Sequence, residues 1–293
     1  MILCIAGLYV DVAADDSLVE SLPNLLPFVV AGVDKDSVIC HIRTGRHIAG
    51  EEMSPTFSSR SEDKIVHVWL KPDECKLSLS DLMSGRTYWL QADRQWHTVS
   101  TDWIPGSSES FACLNDILMI AFVYRSAFFH TTTVHASAVA VHDQGCAFVG
   151  PSGIGKSTHS RLWIQYIPGT RLLNDDQPVL RLHPDGTVML YGTPWSGKTT
   201  CYHNEGVRLK ALFFMQQALE NHLTRLSGIE AFQQLMKATS LMGRDTITFQ
   251  AISQTQAYVC GAVQAYRFKN RPDKDAVSLS YQVFIDSLTS DHI

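Results

Sequence analysis

One stretch constrains this chain more than any other: Gly150-Pro151-Ser152-Gly153-Ile154-Gly155-Lys156-Ser157-Thr158. It fits the spacing G-x-x-x-x-G-K-[ST] of a phosphate-binding loop. Glycines let such a loop curl until successive N–H groups point inward at a phosphate chain. Lys156 is then the group that reaches the β- and γ-phosphates, and the Ser157 hydroxyl is a ligand for Mg²⁺. A helix starting here directs its positive end at the same phosphates. The flanks agree, because Cys146 to Val149 reads as a buried strand and Thr158 to Tyr166 as a helix. The order is strand, loop, helix, and a nucleotide, ATP with Mg²⁺, is the expected ligand.

Composition limits the rest. A chain of 293 residues, 45% hydrophobic and 18% charged, can build one large or two modest cores and is not of disordered type. The net charge of −5 and the lack of a long basic run argue against a nucleic-acid partner. Seven cysteines are scattered with no C-x-x-C pair, which argues against a zinc site or a disulfide framework and suits a reducing cytoplasm. The apolar start, residues 1–10, lacks a basic region and is followed by Asp11, so it reads as a first strand and not a signal peptide. The apolar run from Ile117 to Phe129 contains Arg125 and reads as too short to span a bilayer, so no membrane partner is expected.

Residues 1–108 read as a β-rich domain, with strands at 2–13, 38–43, 64–70, 75–79, 87–91 and 96–100 and a polar loop over 51–63. Proline, glycine and serines at 103–110 mark a connector. Residues 109–293 read as the nucleotide-binding domain. It opens with a buried helix over 111–129, then a hairpin of strands 134–141 and 146–149 that feeds the loop. Beyond the loop helix come a strand at 170–174, a hairpin over 178–191 and a core strand at 207–215. Ser227 and Glu230 have the spacing of a capping box, opening a helix through about 239. A helix at 246–259, a strand at 262–268 and a last helix capped by Asp273 complete the chain.

A phosphate loop needs carboxylates nearby. Asp175 and Asp176 close the next strand, 18 and 19 residues past Ser157, where a strand–loop–helix–strand unit returns beside the loop. One would contact the metal and the other would take a proton from an attacking hydroxyl; which does which stays open. Asn174 is placed to orient a water. His135 begins the strand before the loop strand, so normal hairpin pairing puts it at the phosphate end; it is either a histidine satisfied by backbone or a partner for a carboxylate or phosphate. The segment Tyr191 to Thr200 combines glycines, Trp195, Ser196 and Lys198, and is either an exposed turn or a cover that offers these three to the substrate. Arg161 and Arg208 are further candidate charge partners for phosphate, or solvated arginines.

The ordered set Val134-His135-Ala136-Ser137, Gly150 to Ser157 and Leu173-Asn174-Asp175-Asp176 resembles the C-terminal catalytic domain of HPr kinase/phosphorylase. That family has a V-H-G strand, a G-x-S-G-I-G-K-S loop and a strand ending in A-D-D. The resemblance covers roughly residues 111–215. It implies a mixed-sheet α/β P-loop fold of the HPr kinase and ATP-dependent phosphoenolpyruvate carboxykinase-like type, here preceded by the β-rich domain. It implies that Lys156 and Ser157 bind phosphate and metal, that His135 and the Asp175/Asp176 pair do the proton and metal work, and that the protein is a homo-oligomer. The family's E-I-R-G-L-G-like signature is replaced by Gly192 to Lys198, so the acceptor region differs.

The expected activity is therefore phosphoryl transfer from ATP to a hydroxyl on a small molecule, peptide or protein. A carboxykinase would need an oxyacid pocket for which no lysine–histidine–arginine set stands out. A non-catalytic nucleotide sensor would bind without transfer. An ABC ATPase would need L-S-G-G-Q, which Leu226 to Glu230 does not complete, and Asn270 to Asp273 lacks the lysine of the GTPase N-K-x-D.

Overall fold

The apolar run 2–13, expected as one strand, is two: β1 (Ile2–Ile5) and β2 (Leu8–Ala13) pair antiparallel around Ala6 and Gly7. Both turn residues have positive φ, 52° and 72°, the geometry of a two-residue hairpin turn. An alanine in that role hides the turn from a reading that looks for Asn-Gly or Asp-Gly. The structure, a computed structural model, describes residues 1–13, 18–106, 108–197, 199–239 and 245–289.

The chain divides into two units, Met1–Phe129 with Met242–Gln250 and His130–Leu241 with Ala251–Ile293. The boundary after residue 129 differs from the expected 108/109 boundary, so helix α2 below goes with the first unit. In that unit a short helix α1 (Leu18–Ser21) follows the first hairpin. The strands β3 (Val29–Val30), β4 (Val38–Arg43), β5 (Phe57–Arg60), β6 (Lys64–Leu70), β7 (Glu74–Asp81), β8 (Thr87–Asp93) and β9 (Thr98–Thr101) complete a sheet in the order β3-β1-β2-β4-β9-β8-β7-β6-β5. Strand β5 lies inside the stretch expected to be loop. Parallel pairing of β4 with β2 and β9 makes this sheet mixed.

Helix α2 (Ser108–Ser126) continues through a 3₁₀ turn to Phe129. The mean hydropathy of its most apolar 18-residue window is 1.4, so by length and composition it could cross a membrane, contrary to the expectation drawn from its apolar second half alone. In the folded chain 61% of its most apolar window is buried, as in a core helix. Arg125 does not stay bare: its Nε and Nη1 donate to the carbonyls of Ile39 and Gln95.

The second unit holds β10 (Thr131–Thr133), β11 (Ala136–Val141), β12 (Gln144–Val149), helix α3 (Lys156–Tyr166), β13 (Thr170–Asn174), β14 (Val179–Leu182), β15 (Val188–Tyr191), β16 (Gly206–Gln217), β17 (His222–Arg225), helix α4 (Gly228–Lys237), helix α5 (Thr246–Ala262, its first residues counted with the first unit), β18 (Gln264–Asn270) and helix α6 (Lys274–Thr289). The sheet runs β10-β14-β15-β16-β12-β11-β13, with β18 on β16 and β17 on β18. Strand β16 is parallel to β12 and β18 and antiparallel to β15. The fold is thus α/β with mixed sheets.

The two-residue period of β12 sorts its side chains. Ala147 and Val149 join a cluster with Leu235 of α4 and Val259 of α5. Cys146 and Phe148 join the opposite cluster with Trp163 of α3 and Phe284 of α6. Helices therefore cover both faces of the strand that leads into the 150–155 loop. Phe148 is fully buried and stacks on Phe213 at 5.4 Å, so its loss would cost about 3–5 kcal/mol. This anchors the loop's entry.

Candidate functional site

The chain leaves β12 at Val149, turns through 150–155 and enters α3 at Lys156. Two positions force glycine. Gly153 (φ 80°) and Gly155 (φ 107°) lie in the left-handed region, where a side chain is strained. Gly155 is also the N-cap of α3, and no side chain occupies the capping position. The first-turn N–H groups of α3 and those of the loop are the donors that could hold an anion. Pro151, Ser152 and Gly153 are exposed, while Gly150, Ile154, Gly155, Ser157 and Thr158 are half-buried.

Lys156 folds back on the loop. Its Nζ donates to the carbonyls of Gly150 (2.8 Å) and Pro151 (3.1 Å). Burial pushes the ammonium below the usual lysine range, against the opposing pull of Asp176 and Asp175. The lysine is thus aimed along the start of the loop, with two carboxylates in its field.

The hairpin of β11 and β12 pairs Ala136 with Val149, which puts the entry to β11 beside the exit to the loop. His135 stands there. Its backbone N donates to Ala238 O, and its Nδ1 lies 2.9 Å from Asp176 Oδ1. Both side chains are about a third exposed. Asp175 is different: it is buried, and Ser137 Oγ donates to its Oδ1 at 2.7 Å. The two aspartates, indistinguishable in sequence, thus have separate environments, one open and paired with a histidine, one closed and held by a hydroxyl.

Asn174 sets their geometry and does not act as the expected water-orienting group. Its side-chain oxygen accepts from the N–H groups of Asp176 and Gln177, an Asx turn at the end of β13. Its side-chain nitrogen donates to Thr193 Oγ1 and Trp195 O, each at 3.1 Å. This ties the 192–197 segment to the aspartates. Glycines permit the approach. A Cβ on Gly197 would sit 3.0 Å from Asp175 O, and one on Gly192 would sit 2.1 Å from His203 O.

The other expected residues divide. Trp195 is buried, and Ser196 Oγ donates to Thr199 O, so both support the segment from within. Lys198 lies outside the described residues. Arg161 Nε donates to Ser157 O of its own helix. Arg208 pairs in register with Gln144, at the end of β12 remote from the loop, and does not join the site.

The hydroxyl of Ser157 and the carboxylates of Asp175 and Asp176 are ligand types that suit a hard cation sharing phosphate oxygens and keeping waters. Among the described residues no group of three or more His, Cys, Asp or Glu could hold a metal by protein ligands alone. A Mg²⁺ ion here would depend on the nucleotide for part of its shell.

Beside the loop lies a cavity of about 390 Å³ shared by His135, Gly150 and Pro151. Phe214 lines it from β16 and Leu226 from the link between β17 and α4, and Lys237 and Arg267 are its cations. In the sequence Ser137 stands out only as the last residue of the Val134–Ser137 motif, and Lys237 and Arg267 do not stand out. Serine in an alternating strand carries no signal of its own, and the two cations stand 81 and 111 residues beyond Lys156. No model of a known protein family matches the chain, and no curated protein sequence matches it.

Proposed function

We propose that the second unit is an ATP-dependent phosphotransferase of the HPr kinase and phosphoenolpyruvate carboxykinase-like type, which moves a γ-phosphoryl group to a hydroxyl acceptor. The observation that carries this reading is the His135–Asp176 contact of 2.9 Å beside a loop whose Lys156 feels both aspartates. A free-standing anion site would need the loop alone. Transfer needs a proton acceptor at the same end, and Asp176 is a carboxylate about a third exposed and paired with a histidine.

In this reading the N–H groups of the loop and of α3 hold the phosphate chain. Lys156 exchanges the carbonyls of Gly150 and Pro151 for phosphate oxygens. Ser157 and Asp175 are the residues that would hold Mg²⁺, which when bound neutralises charge on the β- and γ-phosphates. The acceptor oxygen bonds to the γ-phosphorus as the bond from that phosphorus to the β–γ bridging oxygen breaks. ADP leaves with that electron pair, and the acceptor's proton passes to Asp176. His135 holds the carboxylate in place and faces it with an imidazole.

The test is a transfer screen with γ-labelled ATP over hydroxy acids, hydroxy amino acids, serine peptides, HPr-like proteins and oxaloacetate. Lys156→Ala should lose nucleotide binding. Asp176→Asn should keep binding and lose transfer by about 10²–10⁴-fold. Wild-type transfer by Asp176→Asn sinks the proton assignment. Tight nucleotide binding with no transfer to any acceptor sinks the kinase and leaves a nucleotide-responsive regulator.

A further inference from the structure

We infer that the cavity beside the loop is the acceptor pocket and takes a small hydroxycarboxylic acid with an apolar body and no ammonium group. The inference rests on the phosphotransferase reading above and narrows it to a substrate class.

Position comes first. A loop lysine serves the β- and γ-phosphates. Lys156 lies against the carbonyls of Gly150 and Pro151, so that stretch marks the transferring end of the loop. The cavity is lined by the same two residues and by His135, the partner of Asp176. A hydroxyl entering from it meets the γ-phosphate and the proton acceptor together.

Size comes next. At about 390 Å³ the cavity is near the lower end of the 300–1,000 Å³ usual for small-molecule sites, which suits a metabolite and not a folded protein loop.

The lining then selects the chemistry. Phe214, Leu226 and Val149 are buried members of the core cluster and give an apolar floor. Lys237 is exposed and Arg267 half-buried, so the cations sit where the floor meets solvent. Lys237 makes no ion pair among the described residues, and Arg267 has only a loose one to Glu230 at 3.6 Å. Exposed pairs of that kind are weak, and a ligand carboxylate, which an arginine can grip with two hydrogen bonds, would replace it. Among the described residues no Asp or Glu lines the cavity. The ammonium of a free amino acid would enter beside two cations with no carboxylate in that lining to meet it, the nearby Asp176 being paired with His135, which disfavours serine and threonine themselves.

The acceptor's hydroxyl oxygen forms the new bond to the γ-phosphorus, ADP departs, and the proton goes to Asp176; the carboxylate stays on Lys237 and Arg267 and takes no part in bond making.

Three probes isolate the claim. 3-Hydroxybutyrate, L-threonine and 1,3-butanediol share a secondary hydroxyl; threonine adds an ammonium and the diol lacks the carboxylate. Titration calorimetry on the full chain with Mg-ADP should find that 3-hydroxybutyrate binds at least about tenfold more tightly than either of the others. Arg267→Gln and Lys237→Gln should each weaken it by up to about tenfold while ADP affinity moves less than about twofold. Labelled ATP should phosphorylate it. Equal binding of threonine or the diol overturns the inference, as does no measurable binding of 3-hydroxybutyrate. So does a loss of ADP affinity in the two variants, which would make the cavity a nucleoside pocket. If 3-hydroxybutyrate binds through the two cations and receives no phosphate, the pocket stands as a hydroxy-acid site and the kinase reading fails. If serine peptides are phosphorylated while 3-hydroxybutyrate neither binds nor competes, the kinase reading stands and the pocket inference fails.

Discussion

Ser137 donates its hydroxyl hydrogen to Asp175 Oδ1 at 2.7 Å, and its oxygen lies 2.7 Å from Ser160 Oγ. A serine has one hydrogen to give. With that hydrogen on the carboxylate, Ser160 must be the donor to Ser137. The chain Ser160→Ser137→Asp175 therefore joins α3, β11 and the end of β13 in one direction, and both serines are fully buried. The helix that follows the loop and the carboxylate beside it are thereby held in fixed register.

The first prediction tests this chain by its coupling. Ser137→Ala should cost about 1–3 kcal/mol, because it strips a buried carboxylate of its donor and leaves the Ser160 hydroxyl without an acceptor. With Ser137 already gone, Ser160→Ala should cost much less than it does in the wild-type chain. Urea unfolding of the two single variants and the double variant measures this. Costs that add to within about 0.5 kcal/mol would dissolve the chain into two unrelated contacts.

The elements of this site differed in how far they could be read in advance. The order β12, loop, α3 follows from local pattern, since an apolar strand, glycines and a polar helix start all lie within about 20 residues. The Ser227–Glu230 capping box forms as its spacing implies. The Asp175/Asp176 difference was not legible, because it is made by Ser137 and His135, which lie some 40 residues earlier on a strand whose pattern says only that it is buried. The role of Asn174 is hidden for a related reason: its amide serves the backbone of the residues two and three positions on and of a segment about 20 residues on, and only the folded chain brings those together. The turn at Ala6–Gly7 was missed because alanine is a poor indicator of positive φ.

Two glycines of one segment should answer differently to the same change. Gly192→Ala drives a methyl to 2.1 Å from one backbone oxygen and 2.8 Å from another, His203 O and Leu173 O. Leu173 belongs to β13, and relieving both contacts requires the backbone to shift, so a loss of more than about 3 kcal/mol is expected. Gly197→Ala meets Asp175 O at 3.0 Å and Asp176 Cβ at 3.5 Å. A shift of a few tenths of an ångström relieves that contact, so stability should fall by less than about 1.5 kcal/mol while the aspartates move. Thermal melts and transfer rates on the same samples separate the two. Gly192→Ala melting close to wild type would show that the backbone yields there.

His159 supplies a pH dependence. Ser280 Oγ gives its hydrogen to the backbone carbonyls of Ala276 and Val277 and accepts from Trp163 Nε1. His159 Nε2, 3.1 Å from the same oxygen, is therefore the protonated nitrogen of a neutral ring. Its Nδ1 is buried without a partner among the described residues, between Phe148 and Phe268. Burial pushes the ring down to about 4 from 6.5. The folded state thus refuses a proton that the unfolded chain accepts below pH 6.5. Stability on this account is intact above pH 6.5 and falls as pH drops toward 4, by about 1.4 kcal/mol per unit. His159→Gln lacks this loss, so the stability difference between wild type and variant should shift against wild type at that rate between pH 6.5 and 4.5. A difference that stays constant across the range would mean that the ring titrates normally when folded.

Asp273 gives the opposite sign. It caps α6, accepting from Ala276 N at 2.9 Å, with Asn221 Nδ2 on the same oxygen and Arg271 beside it. The backbone hydrogen bond from Ala276 leads the influences that hold its carboxyl below the usual 3.8. The charged form is favoured by folding, so the stabilisation is fully present above pH 3.8 and is lost as pH falls through the lower folded value. Asp273→Ala should cost about 1 kcal/mol at pH 7, the usual worth of an N-cap. Asp273→Asn should recover most of that, since an amide oxygen caps nearly as well. Below pH 3.8 the gap between wild type and Asp273→Ala should narrow, while the gap between Asp273→Asn and Asp273→Ala should hold, because the amide does not titrate. Urea midpoints at pH 7 and at two acid values decide it. A gap to alanine that shrinks equally for aspartate and asparagine would place the acid loss elsewhere in α6.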